Sequence, residues 1–146
     1  MTAEEQLESF IAKFSPPNQR LIRALRKAVR KLLPNANELV YDNYNFFVIA
    51  YCPTEKVSDS FFSIGANKHG ANLFFGYNGT KLFDPEHLLQ GSASRNRFLR
   101  LAAAKDLERA GIRALMASAV ETSKPMHVTK GRLLIRSISP KQRPRQ

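Results

Sequence analysis

The sequence predicts an α+β domain built on an antiparallel sheet of about five to six strands. A hairpin pattern supports the sheet: in residues 59–77, DSFFSIGANKHGANLFFGY, two runs of aromatic and branched residues flank a polar turn at residues 67–70. Helical periodicity supports the other layer, with apolar residues at i, i+3, i+4 and i+7 in residues 3–14. We therefore expect the hairpin at the centre of the sheet.

The remaining elements follow along the chain. Residues 38–51 indicate two short strands around a bend, because Asp and Asn side chains favour bends. Asp84 before Pro85 predicts a short helix through Leu89. The other expected elements are helices over 18–33 and 111–122, a helical turn starting at 105–107, and strands over 95–101 and 131–138.

Length and composition indicate one domain over residues 1–138, followed by a basic, proline-containing tail at 139–146 that is predicted to be flexible. The single Cys52 cannot form an internal disulfide, and the acidic N-terminal stretch does not resemble a secretory signal. We therefore expect a cytoplasmic protein. No membrane partner is expected, since no apolar run approaches the roughly 20 residues that cross a bilayer.

The charge is strongly basic and unevenly distributed. Lys and Arg total 23 against 12 Asp and Glu, and residues 20–31 and 130–146 each contain six basic residues and no acid. Such an excess attracts polyanions, although a basic helix face can also serve only to solvate the protein. One hypothesis is non-specific nucleic-acid binding through the second helix and the tail. Its candidate residues are Arg20, Arg23, Lys27, Arg30, Arg132, Arg136, Arg143 and Arg145.

Neither basic block contains the interleaved aromatic residues expected for stacking on single-stranded nucleic acid. A second hypothesis places an anionic ligand where polar and aromatic residues interrupt a strand-like stretch, although a simple bend explains that pattern equally well. The candidate ligand-binding residues are Tyr41, Asp42, Asn43, Tyr44, Asn45, Lys68, His69, Arg95 and Arg97.

The sequence contains no catalytic or metal-binding signature, so no enzyme, metal or cofactor is expected. His69, His87 and His127 lie in separate segments without a partner at i+3 or i+4. Cys52 beside an apolar strand is interpreted as a core residue. Residues 91–97 could cradle an anion, but they lack the preceding strand and following helix of a P-loop.

Several stretches together resemble one known family: residues 39–45 (LVYDNYN), 53–55, 88–92 with 97–101, 106–107 and 137–145. They are similar to the YdhG-like domains, small bacterial proteins of uncharacterised function. The resemblance implies an α+β fold with helices packed on one face of an antiparallel sheet, related in shape to frataxin.

Some YdhG-like relatives have been linked to iron delivery, which in frataxin-type proteins relies on a ridge of carboxylates. Here the first helix offers only Glu4, Glu5 and Glu8 and is followed by a basic helix. We therefore expect a non-enzymatic YdhG-like binding or accessory domain with an anionic ligand. Nucleic-acid binding is the alternative and iron chaperoning is less favoured. A homodimer through the edge of the C-terminal strand is a further hypothesis.

Overall fold

Three helices and a six-stranded sheet make up the fold in a computed structural model that describes residues 1–146. The helices are α1 (Ala3–Ile11), α2 (Pro16–Leu32) and α3 (Ala110–Glu121). The strands are β1 (Asn37–Asp42), β2 (Phe47–Cys52), β3 (Phe62–Asn67), β4 (Gly70–Phe75), β5 (Arg97–Leu101) and β6 (Leu133–Ile138). The α+β prediction is confirmed, and no helix is both long and apolar enough to cross a membrane.

The predicted hairpin lies inside the sheet, whose strand order is β5-β4-β3-β2-β1-β6, so that β4 is next to the edge strand β5 and only β3 is one of the two central strands. Strands β3 and β4 pair antiparallel from Ser63 opposite Phe74 to Asn67 opposite Gly70, so the connecting turn contains only Lys68 and His69. Gly70 closes that turn with φ of +125°, a conformation that residues with a Cβ rarely adopt. The turn is thus tighter than the four-residue loop predicted from the sequence.

Strand β6 differs from the expected antiparallel pattern because it runs parallel to β1. The chain enters the sheet beside the start of β1, where Gly131 N donates to Pro34 O and Arg132 N donates to the Asn37 side chain. A strand that enters there must run in the direction of β1, which makes the sheet mixed. The other edge of β6 has no strand partner within the chain, so homodimer formation through it stays a prediction.

All three helices contribute to one core on one face of the sheet. Alternate residues of each strand point toward the helices, and 26 buried residues form a continuous apolar cluster. In α1 and the turn after it, Phe10 and Phe14 pack against Phe47, with ring centroids 6.3 and 6.0 Å apart. The other face of the sheet, which we call the open face, has its own small buried cluster of Leu39, Ala50 and Cys52.

The predicted short helix after Asp84 is wrong. Residues 84–89 form a turn instead, in which the Asp84 carboxylate accepts hydrogen bonds from Leu88 N and Leu89 N, both at 2.9 Å. His87 adopts φ of +54°, in the left-handed region that a right-handed helix does not contain. Asp84 therefore caps a closed loop rather than a helix.

The tail at residues 139–146 packs against the turn between β1 and β2. Ser139 N donates to Asp42 O, and Arg143 N donates to Tyr44 O, both at 2.9 Å. The side chain of Arg145 is 2% exposed and lies 3.0 Å from the Asp42 carboxylate. These contacts join residues about a hundred positions apart that sequence patterns do not connect, and the flexibility of the tail stays a prediction.

Candidate functional site

Helix α2 directs its apolar stripe to the core and its basic arc to solvent, where it forms one wall of a groove of about 500 Å³. We call this the basic groove. Its polar lining consists of Arg23, Lys27, Arg30 and Lys31 from α2, Lys130 from the loop before β6, and Glu8 from α1, with Arg26 at its floor.

Only part of this positive charge is neutralised. Arg23 pairs with Glu8 at 2.8 Å, and Arg30 lies 3.7 Å from Glu38. The six cationic side chains of the groove face three carboxylates, those of Glu4, Glu8 and Glu38, which leaves an excess of three positive charges. Three lysines have no carboxylate within 4 Å: Lys27, Lys31 and Lys130.

The floor of the groove is a buried ionic network centred on Arg26. Its guanidinium donates to Glu38 at 2.9 Å and to Glu4 at 2.7 and 3.0 Å, and Tyr51 Oη donates to Glu38 at 3.0 Å. Burial alone would lower the pKa of Arg26, but the hydrogen bonds to Glu38 and Glu4 outweigh it and raise the pKa. Burial, followed by the charge of Glu38, raises the pKa of Tyr51 well above its usual value. The contact of Arg26 with Glu38 joins α2 to β1 and so holds the helix against the sheet.

The pairing of Glu4 with Arg26 predicts an acid-dependent loss of stability. The hydrogen bond from Arg26 lowers the pKa of Glu4 below its usual value of 4.5, against a smaller opposing effect of burial. Stability from ionised Glu4 is therefore fully present above about pH 4.5 and is lost as the pH falls through the folded-state pKa. We expect Glu4→Gln to unfold at lower urea concentration than the natural protein at pH 7, and the difference to shrink at about pH 2. Glu5→Gln, which removes no ion pair, is the control. If Glu4→Gln lowers the urea midpoint as much at about pH 2 as at pH 7, the loss does not come from the ionised form of Glu4.

A second cluster of cations surrounds the turn between β3 and β4. Lys68 and His69 from this turn, Asn45 and Phe46 from the β1–β2 turn, and Arg143 from the tail line a cavity of about 270 Å³, which also contains Asn67 and Pro144. We call it the turn cavity. The guanidinium of Arg143 lies 5.4 Å from the ring centroid of Tyr44, within range of a cation–π contact. The structure thus brings Asn45, Lys68 and His69 together, as the ligand-binding hypothesis requires.

Other residues of that hypothesis lie elsewhere. Asp42 is fully buried on the helix face, between Lys13 and Arg145. The Asn43 side chain accepts a hydrogen bond from Ser137 at 3.2 Å. Tyr41 lies on the open face, where burial raises the pKa of its phenol and the guanidinium of Arg136 acts in the opposite direction.

Arg95 and Arg97 do not reach the turn cavity. Arg97 pairs with Phe75 at the end of β4 that is farthest from the hairpin turn, a separation of about 17 Å along the strand. Its guanidinium donates to the carbonyls of Ala93 and Asn96 at 2.5 and 2.7 Å, so it closes the loop before β5. Arg95 lies over the ring of Tyr77, 5.3 Å from its centroid.

The candidate residues of the nucleic-acid hypothesis also do not form one surface. Those on α2 form one exposed arc, with Arg20 preceding the groove-lining Arg23, Lys27 and Arg30. The others are separated: Arg132 lies 3.5 Å from Glu55, Arg136 is on the open face, Arg143 lines the turn cavity, and Arg145 is buried against Asp42.

No group of three or more His, Cys, Asp or Glu side chains lies close enough together to hold a metal ion. On α1, Glu4 and Glu8 are engaged by arginines of α2, so they do not form a free carboxylate ridge. Cys52 is buried, its Sγ donates to Lys56 O at 3.1 Å, and burial raises the pKa of its thiol. A raised pKa leaves little thiolate at neutral pH.

Two groove residues, Lys31 and Lys130, belong to the basic blocks of the sequence but were not among the candidate residues for nucleic-acid binding. Lys31 could have been included, because it follows Lys27 by four positions and so lies on the same helix face. Lys130 is brought to α2 by the entry of β6 beside β1, which no local pattern indicates.

No family model, curated protein or solved structure matches this chain. The resemblance to the YdhG-like domains therefore stays a prediction that rests on the residues quoted above.

Proposed function

We propose that this chain is a non-enzymatic binding domain of the YdhG-like type, whose ligand is anionic and binds in the basic groove. The observation that carries the proposal is the excess of three positive charges in one concave surface. Phosphate groups are the anions that such a site suits best, since Lys binds them as a point charge and Arg as a planar donor.

The groove combines fixed and adaptable cations. Arg23 is held by Glu8, and Arg26 is locked at the floor, so the wall of the groove is positioned before a ligand arrives. The three lysines without a carboxylate partner can turn toward an anion without breaking an ion pair. Pre-organisation of this kind lowers the cost of ordering side chains on binding.

The chemistry of the groove supports binding rather than catalysis. Its lining contains no Ser, Cys or His that could act as a nucleophile or proton carrier. Its one lining carboxylate, Glu8, accepts two hydrogen bonds from Arg23 at the same oxygen.

Non-specific nucleic-acid binding is a second candidate, favoured by the continuous basic arc of the 17-residue helix α2. In this form the interface is α2 without the tail, because Arg143 lines the turn cavity and Arg145 is buried against Asp42. A duplex or a polyphosphate would then occupy the same groove, and the two ligands differ in how far they extend along the helix. Iron chaperoning has less support, given the arginine-paired carboxylates of α1.

Calorimetric titration with tripolyphosphate at about 50 mM salt tests the proposal. We expect saturable binding that the double substitution Lys27→Ala/Lys31→Ala weakens by about tenfold or more, because each Lys contributes a charge-assisted contact. Alanine keeps the helix propensity of these exposed positions.

The matched control is Lys56→Ala/Lys81→Ala, which removes the same charge from exposed positions outside the groove. Equal losses of affinity in the two double variants would mean that only net charge matters. That result, or no binding at all at this salt concentration, would contradict the groove as the site.

A further inference from the structure

The open face of the sheet is free of carboxylates along its strands. Side chains that point away from the helices alternate with those of the core, and none of them is Asp or Glu. Those that are at least partly exposed are Tyr41, Val48, Ser63, Asn67, Asn72, Phe74, Phe98, Arg100, Leu134, Arg136 and Ser137, whereas Asn37, Leu39, Ala50 and Cys52 are buried. This surface therefore combines aromatic and cationic groups, although neither basic block of the sequence contains an aromatic residue.

Three phenylalanines form a row across this face. The ring centroid of Phe74 lies 5.4 Å from that of Phe46 and 5.7 Å from that of Phe98. All three side chains are partly exposed, and none belongs to either buried cluster. We call them the aromatic row. An apolar row that no helix covers is the kind of surface that proteins use to bind a partner.

The central ring of this row is packed over a glycine of the sheet. A Cβ at Gly65 would come within 2.5 Å of Phe74 Cε2, so the ring occupies the space above the glycine. In the same row of the sheet, Gly65 lies between Val48 on β2 and Asn72 on β4. Phe74 remains partly exposed, and this exposed part of its ring is available for stacking.

Cations border the aromatic row on both sides. Arg100 on β5 and Arg136 on β6 are exposed and lie at opposite edges of the face, about 24 Å apart by the spacing of six strands. Arg100 donates to His69 O at 2.6 Å, which places it between the row and the turn cavity. Neither arginine has a carboxylate within 4 Å.

The turn cavity continues this surface at one end of the row, because Phe46 belongs to both. Lys68, His69 and Arg143 line the cavity, and none of the three has a carboxylate partner. An anionic group in the cavity would thus lie next to the first ring of the row.

We propose that the open face and the turn cavity together bind a single-stranded nucleic acid, whose bases stack on the aromatic row and whose phosphates contact the surrounding cations. This combination of stacking rings and a positive path for the backbone is what binds unpaired strands without sequence preference. The span between Arg100 and Arg136 suits a tract of about four nucleotides or slightly more. The site is separate from the basic groove and does not depend on it.

The geometry favours an unpaired strand over a duplex. In a duplex the bases stack on one another, so rings on a flat sheet could reach only the sugar–phosphate backbone. The basic groove, in contrast, offers charge without aromatic rings and has no means of distinguishing the two. Preference for a single strand is therefore the property that separates this site from the groove.

Fluorescence anisotropy of the full chain with a labelled oligothymidylate of about 12 bases tests the inference, with the matching RNA and a duplex of equal length alongside. At about 50 mM salt we expect the single strands to bind at least about tenfold more tightly than the duplex. Phe74→Leu and Phe98→Leu should each weaken binding by about tenfold, because leucine keeps the apolar contact and removes the stacking ring. Lys68→Gln and Arg143→Gln should each reduce the salt dependence by about one phosphate contact.

The charge-matched variant Lys56→Ala/Lys81→Ala, whose lysines line neither the basic groove nor the turn cavity, is the control and should change single-strand affinity by less than about threefold. The groove variant Lys27→Ala/Lys31→Ala is measured alongside. Thermal unfolding checks that each variant is folded. If a leucine variant is not folded, the double variant Arg136→Gln/Arg143→Gln takes its place in the binding measurement. Absence of single-strand binding at low salt, equal affinity for the duplex, or unchanged binding by both folded leucine variants would each overturn the inference. A loss confined to the groove variant would overturn it too, while leaving the proposed groove function intact.

Discussion

Replacement of Asp42 by Asn is expected to lower the free energy of unfolding by about 3–5 kcal/mol, the usual effect of removing one partner of a buried ion pair. The Asp42 side chain is fully buried between Lys13 Nζ at 2.5 Å and Arg145 Nη2 at 3.0 Å. Without that charge, the guanidinium of Arg145 stays buried beside the ring of Phe14 with only neutral acceptors, the carbonyl of Asn43 and the amide oxygen of the new side chain. Urea unfolding at pH 7 measures the loss.

Two comparisons make this test specific. Glu55→Gln breaks an exposed pair with Arg132 and should cost less than about 1 kcal/mol. In a double-mutant cycle, Asp42→Asn and Arg145→Met should be coupled by about 1 kcal/mol or more, because the two side chains are in contact. If Asp42→Asn unfolds within about 0.5 kcal/mol of the natural protein, the buried pair is not part of the folded state.

This pair also affects how the tail can be studied. Truncation after Ser139 removes Arg145 together with Arg143, so a loss of ligand binding in the truncated chain would reflect a lost structural contact as well as a lost charge. Single substitution of Arg143 avoids this difficulty, because its side chain is exposed and lies in the turn cavity.

Arg26→Met is expected to have a similarly large effect, about 3–5 kcal/mol, because it leaves the buried carboxylate of Glu38 without its main partner. After the substitution Glu38 would retain only Tyr51 Oη at 3.0 Å and the guanidinium of Arg30 at 3.7 Å. Glu4 would lose both of its hydrogen bonds to the guanidinium. Denaturant unfolding of the variant at neutral pH checks this expectation.

The double substitution Arg26→Met/Glu38→Met should be more stable than Arg26→Met alone, because it removes the unpaired charge as well. Arg23→Met is the matched control on the same helix. Its ion pair with Glu8 is about half exposed on both sides, so the expected cost is less than about 1 kcal/mol. If Arg23→Met and Arg26→Met lower the free energy of unfolding by similar amounts, the network at the floor of the groove stabilises the fold no more than a surface ion pair does.

The parts of the fold that the sequence predicts are those fixed by local patterns. The central hairpin follows from two runs of strand-forming residues around a turn that ends in Gly70, and α3 follows from one apolar stripe. The direction of β6 could not be predicted, because it depends on where Gly131 meets the backbone after Pro34. The helix after Asp84 was predicted wrongly for a different reason, since an Asp side chain can either cap a helix or close a turn.

The candidate sites were predictable only where one segment supplies the side chains. The basic arc of α2 is such a case, and the turn residues Lys68 and His69 are another. Arg97 was assigned to the wrong end of the hairpin, because the sequence does not specify the length and register of β4 and β5. The aromatic row was missed for the same reason, since Phe46, Phe74 and Phe98 become neighbours only through strand pairing.

The most direct test of the proposed function is an NMR titration of the ¹⁵N-labelled protein with tripolyphosphate, which maps where an anion binds. We expect the largest amide shifts in residues 23–31 of α2 and at Lys130, and we expect these shifts to diminish in the Lys27→Ala/Lys31→Ala variant. Largest shifts outside the basic groove, or equal small shifts at every exposed cation, would contradict the proposed function.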